Sequence, residues 1–195
     1  MGARMSAVVD LRQHRDVSGR RPSGPLAVVP PALARYVAHV ESLLAGAADE
    51  EALAARVAGA LGELACERDL LAPEQRIGDA ETYTRHLLYA DPEGRFSVLA
   101  LVWMPGQGTP VHGHTAWGAV AVHEGRPTVA LYEYEPGYGA LPRQELQCVP
   151  GEVSWVRAGI QYPHRICNTS DRPAITLHTY GRDLSRNPTG INILV

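Results

Sequence analysis

Gly106-Gln107-Gly108-Thr109-Pro110-Val111-His112-Gly113-His114 sits near the middle of the chain and carries two of its 8 histidines. Residues two apart on an extended strand share a face, so His112 and His114 point together. His164 lies on a later strand and can join them. Three imidazoles from two strands suit a divalent first-row metal. Taken alone, a His-x-His pair equally suits a surface pair or two hydrogen-bonded core histidines. The flanking sequence has to choose between these readings.

On both sides of the pair the chain breaks into short β-branched or aromatic segments. Strands are expected at Tyr83–Tyr89, Phe96–Met104, Ala119–His123, Thr128–Tyr134, Val153–Val156, His164–Cys167 and Ala174–Tyr180. Turn residues separate them at Asp91–Gly94, Pro105–Gly108, Glu124–Pro127, Glu135–Pro142, Pro150–Gly151 and Ala158–Gly159. Many short strands at this spacing predict a sandwich or small barrel. Upstream the period changes. Leu33, Tyr36, Val37, Val40, Leu43 and Leu44 recur at helical steps after Pro30 and Pro31, with Gly46 behind them. Asp49 is placed to cap a second helix carrying Leu53, Val57, Leu61 and Leu64 on one face, with Glu50 and Glu51 in its first turn. Residues 1–29 show no sustained period and read as a mobile N-terminal arm. The class is therefore α+β, mainly β. A single domain is expected over residues 30–195, with helices at about 31–66 and a barrel at about 83–185.

Composition removes several chemistries. All 18 basic residues among the 195 are arginine, so no lysine is present for Schiff-base, pyridoxal-phosphate or Walker-type chemistry. A net charge of -3 argues against a basic nucleic-acid-binding surface. Cys66, Cys148 and Cys167 are odd in number and lack C-x-x-C spacing, which fits a reducing compartment. The first residues carry no apolar core of signal-peptide length, and no run approaches 18 apolar residues. A cytoplasmic protein without membrane or nucleic-acid partners is expected; oligomeric state is unreadable. Five of the 8 histidines fall between positions 112 and 178.

The histidine segments resemble the cupin superfamily. Gly106, His112, His114 and Gly125 stand at the spacing of its first motif, and Gly151, Gly159, His164 and Asn168 follow its second. Arg157 replaces the usual proline of the second motif, and the gap from Gly159 to His164 is longer than usual. Gly118 occupies the place of the first-motif glutamate. The resemblance thus implies a cupin, a small β-barrel or jelly roll behind N-terminal helices, with three neutral histidines and no carboxylate ligand.

This three-histidine variant resembles the cysteine dioxygenase family of thiol dioxygenases, bacterial type. Tyr83-Thr84-Arg85 is similar to the family's Tyr-x-Arg segment, whose arginine holds the substrate carboxylate; a guanidinium can bind a carboxylate at two points. Thr176-Leu177-His178-Thr179-Tyr180 is similar to the family's Ser-x-His-x-Tyr relay, whose polar members share one strand face. Trp117-Gly118 is similar to bacterial members that include 3-mercaptopropionate dioxygenases. Those usually use a later arginine; Arg182 and Arg186 follow the relay but do not match its position well.

The resemblance implies one mononuclear Fe(II) on His112, His114 and His164. It implies substrate binding by Arg85, Tyr83 and Trp117, and catalysis by Tyr180, His178 and Thr176. The substrates implied are a small thiol and O2, and the product is a sulfinic acid. Arg85 points to L-cysteine and Trp117-Gly118 to 3-mercaptopropionate. A larger thiol or thione such as ergothioneine, a metal-dependent cupin acting on a non-thiol substrate, and a non-catalytic cupin sensor are the other readings. Gly118 also stands where animal members carry a cysteine cross-linked to the relay tyrosine, so Tyr180 is expected to be a free phenol. Cys167 is expected to be a buried structural thiol, and His123 a barrel-surface residue.

Overall fold

The structure is a computed structural model that describes residues 29–46, 49–185 and 190–195. The expected arm over residues 1–29 lies, Val29 apart, outside the described residues, as does Arg186. Among the described residues two α-helices come first, α1 (Pro31–Gly46) and α2 (Glu50–Ala65). Asp49 caps α2 as expected: its carboxylate oxygens accept from Glu51 N at 2.9 Å and Ala52 N at 3.2 Å. That satisfies two of the backbone donors a helix start leaves unpaired. The apolar stripes Leu33, Tyr36, Val37, Val40, Leu43 and Leu53, Val57, Leu61, Leu64 are all buried.

Ten strands follow among the described residues: β1 (Thr84–Ala90), β2 (Ser97–Trp103), β3 (His112–His114), β4 (Gly118–Glu124), β5 (Thr128–Glu135), β6 (Gly139–Gln147), β7 (Val153–Val156), β8 (Gly159–Cys167), β9 (Ala174–Tyr180) and β10 (Asn192–Leu194). They form two five-stranded antiparallel sheets, ordered β1-β2-β9-β4-β7 and β10-β3-β8-β5-β6. This is the α+β, mainly β cupin architecture. Among the described residues no helix is long and apolar enough to cross a membrane.

The first sheet is covered on both faces, which explains the wholly buried runs of β2 and β9. Val98, Ala100, Val102, Ile175 and Leu177 face the helices, whereas Leu99, Leu101, Trp103 and Tyr180 belong to the cluster between the sheets. Strand alternation therefore assigns Thr176, His178 and Tyr180 to the interior and Thr179 to the helix side. Thr179 accordingly shares a 2.6 Å hydrogen bond with Tyr36 of α1.

The two histidine-bearing segments are stitched together by backbone. Gly106 N donates to Asn168 O, Asn168 N to Gln107 O and Thr109 N to Ile166 O, each at 2.8 Å. Gly125 turns the chain at φ 78°, and a Cβ there would meet Ala174 Cα and Pro173 O at 2.7 Å, so only glycine fits.

Three expectations need correction. The break expected through Glu135–Pro142 is shorter, because β6 runs from Gly139 along the sheet edge, where Pro142 needs no ladder partner for a missing N–H. The break at Ala158–Gly159 is instead the start of β8. His123 is buried, not on the barrel surface: its Nδ1 donates to Ala65 O at 2.8 Å, completing a carbonyl at the α2 C-terminus.

Candidate metal centre and thiol site

β3 and β8 bring the three histidines together. His112 pairs directly with His164 in the ladder, and the register then slips so that Gly159 lies opposite His114. All three side chains are buried, and one nitrogen of each lies within 4.8 Å of the others. His114 Nε2 and His164 Nε2 face each other at 3.2 Å. His112 Nδ1 donates to Pro110 O at 2.9 Å, which orients the ring and leaves Nε2 as its lone-pair nitrogen.

Burial keeps these rings neutral. It pushes His164 down to about 3, with the His112 charge adding. His114 lies well below the ordinary histidine range through burial and then through His164 and His112. His112 is lowered by burial, with Arg85 adding and the Pro110 bond opposing. Neutral imidazole is the ligand form. Two facing Nε2 atoms and a buried His114 Nδ1 without a hydrogen-bond partner form an uneconomical polar cluster by themselves. A divalent ion accepting the lone pairs fits them. Gly118 leaves no place for a carboxylate ligand, since a Cβ there would meet the Tyr180 ring at 2.9 Å.

The Thr176, His178 and Tyr180 side chains form one buried chain on β9. Thr176 Oγ1 lies 2.7 Å from His178 Nε2, and His178 Nδ1 lies 2.9 Å from the Tyr180 hydroxyl. The Tyr180 ring sits 5.5 Å from the His114 ring. Burial lowers His178 to about 3, with Arg85 and the His164 charge adding. Burial raises Tyr180 above the usual phenol range, partly opposed by Arg85, so its hydroxyl is neutral.

Tyr83 and Arg85 line the same cavity as His112, His178 and Tyr180. Arg85 Nη2 donates to the Tyr83 hydroxyl at 2.5 Å, and Tyr83 stacks on Trp103 at 4.5 Å between ring centroids. Arg85 is the guanidinium among the described residues that line this cavity, and its positive charge suits an anionic ligand.

A sequence profile described as cysteine dioxygenase type I matches residues 25–187. The chain belongs to the cysteine dioxygenase type I family. This family member is thus a cupin thiol dioxygenase of a metal-dependent family whose substrates are a thiol and O2. Among solved structures, the protein TT1209 from Thermus thermophilus is 22% identical, with 60% of this chain and 97% of that chain covered and a TM-score of 0.46. Rru_A2000 from Rhodospirillum rubrum, a cupin-2 domain, is 15% identical, with 52% and 62% covered and a TM-score of 0.43. A cupin 2 conserved barrel domain protein from Rhodopseudomonas palustris is 18% identical, with 55% and 70% covered and a TM-score of 0.42.

Within this cysteine dioxygenase family member, Trp117 lies elsewhere than the resemblance implies. It is buried with the helix-side cluster, over Gly181, and is absent from the cavity lining. Gly118 faces the Tyr180 ring inside, so its neighbour turns away. Other cavity residues escaped the sequence reading. Leu99, Leu101 and Trp103 line it from β2, and Ile191 and Asn192 close it from the C-terminal segment. Alternation along β2 was the available signal for the first three. The three-residue β10 offers none. Asn168 is wholly buried and structural: its Nδ2 donates to Trp103 O at 2.9 Å and Arg172 O at 2.7 Å. Cys167 is buried, with its thiol 3.8 Å from Thr128 O, and burial raises its pKa.

Proposed function

We propose that this protein is a mononuclear Fe(II) thiol dioxygenase that converts a small carboxylate-bearing thiol, L-cysteine foremost, to its sulfinic acid. The observation that carries the proposal is the meeting in one cavity of His112, the Arg85 guanidinium and the Tyr180 phenol. His112, His114 and His164 would hold the iron. When bound, the iron supplies Lewis acidity that lowers a thiol pKa, and the redox chemistry of dioxygen.

The chain's own residues do the remaining work. Arg85 binds the substrate carboxylate and so fixes the direction in which the thiol reaches the histidines, a proximity effect. Tyr83 holds Arg85 in place through the 2.5 Å hydrogen bond. The aliphatic wall from Leu99 and Leu101 excludes water around the sulfur. Tyr180, neutral and braced by His178, places a hydrogen-bond donor where charge develops on the reactants. Trp117, buried away from the cavity, has no substrate-binding part in this proposal. The protein works in the cytoplasm on a small molecule, with no nucleic-acid or membrane partner.

The test is oxygen uptake by the iron-loaded protein with a panel of thiols. Cysteine and 3-mercaptopropionate, which carry a carboxylate, should turn over, with cysteine the better. Cysteamine, which lacks only the carboxylate, should be at least tenfold poorer in kcat/KM. Equal rates with cysteamine and cysteine would remove Arg85 as the clamp. Absence of uptake with every thiol would refute the function.

A further inference from the structure

The Thr176–His178–Tyr180 chain has a direction, and a residue outside it sets that direction. Trp103 Nε1 lies 2.8 Å from Thr176 Oγ1. An indole N–H donates and never accepts. Thr176 Oγ1 therefore receives a hydrogen from Trp103, and its own hydrogen goes to His178 Nε2 at 2.7 Å. His178 is neutral and carries one ring hydrogen. With Nε2 accepting, that hydrogen is on Nδ1, which donates to the Tyr180 hydroxyl at 2.9 Å. The Tyr180 hydrogen is then directed away from His178. In the reversed arrangement Thr176 would receive two donors, and its own hydrogen would need another acceptor at a residue only 1% exposed. The tyrosine hydrogen would then be spent on His178.

The same indole has a second contact. Trp103 is 0% exposed, and Tyr83, which accepts from Arg85, stacks on its face at 4.5 Å. The backbone carbonyl of Trp103 is pinned by Asn168. One side chain thus joins the carboxylate-binding half of the cavity to the hydroxyl-bearing half.

We infer that Trp103 is a positioning residue: its N–H fixes the direction of the Thr176–His178–Tyr180 chain so that the phenol offers its hydrogen to the reactants, while its ring face braces Tyr83 and Arg85. The catalytic consequence rests on the proposed dioxygenase reaction. The hydrogen-bond direction does not.

The experiment is 15N NMR of the histidine rings in the metal-free full-length chain, with His178 assigned by loss of its signals in His178→Asn. Wild-type His178 should be a single tautomer with the hydrogen on Nδ1. Trp103→Phe keeps the ring and removes the donor, and should populate the Nε2–H tautomer. In the iron-loaded protein it should lower kcat at least tenfold with KM for cysteine within twofold. Trp103→Leu removes the ring as well and should also raise KM. Thr176→Val cuts the same link without touching Trp103, and should mix the tautomers in the same way. A wild-type His178 protonated on Nε2 overturns the inference, and so does a pure Nδ1–H tautomer in Trp103→Phe or Thr176→Val. The wild-type reading needs no variant to fold. If NMR gives the expected tautomers but no thiol supports oxygen uptake, the proposed reaction fails and the directional role of Trp103 stands.

Discussion

Acidifying the metal-free protein should destabilise it above the pH range in which most carboxylates titrate. His164 and His178 are held at about 3 in the folded chain, chiefly by burial. In the unfolded chain they return to about 6.5. Below about 6.5 the unfolded state binds more protons than the folded state, so stability is complete above that pH and falls as pH drops towards about 3. Between pH 7.5 and 5 each such histidine removes about 2 kcal/mol, so the pair removes about 4 kcal/mol. His86, His112 and His114 are also lowered, by burial first, and act in the same direction. Asp91, whose carboxyl is held below the usual range by Arg95, loses its contribution only at still lower pH. Urea melts at pH 7.5 and 5 measure the difference, and His178→Asn should shrink it by about 2 kcal/mol. A wild-type change under about 1 kcal/mol, or stability that rises on acidification, would mean that burial does not hold these histidines neutral in the folded chain.

Two further substitutions probe the carboxylate clamp and the buried asparagine. Arg85→Gln should raise KM for cysteine about 10- to 150-fold, the equivalent of one charged hydrogen-bonded contact, and leave cysteamine turnover unchanged; steady-state oxygen uptake reads both. Asn168→Ala leaves the Trp103 carbonyl and the Ser170 N–H without the asparagine side chain, and the Arg172 carbonyl and Ser170 hydroxyl with only each other. It should lower unfolding free energy by about 2–4 kcal/mol in urea melts, and a loss under 1 kcal/mol, roughly one hydrogen bond, would contradict the structural role given to it.

The helices were legible because their stripes obey one period and their boundaries carry chemistry, Asp49 above all. β2 was legible as an apolar run, and β9 as a short segment of β-branched and aromatic residues. The histidine cluster was legible because His-x-His puts two rings on one face whatever the surroundings. What the sequence withheld depends on register. Trp103 reaches Thr176 because β2 pairs β9 with Trp103 opposite Ala174 and Leu101 opposite Thr176, and a diagonal neighbour is within range of an indole. No local pattern states that pairing. β6 was missed because its side chains are largely exposed and show no alternation, and His123 because its partner, the Ala65 carbonyl, is a backbone group 58 residues away. Trp117 was misplaced because a motif gives a residue's neighbourhood but not its face; one position from Gly118 is enough to turn it to the helices.

The most direct test of the function supplies 18O2 to the iron-loaded protein with cysteine and reads the product by mass spectrometry. The product should be cysteine sulfinic acid carrying two labelled oxygens in every turnover. A product with one label or none, or oxygen consumption that does not depend on the thiol, would contradict it.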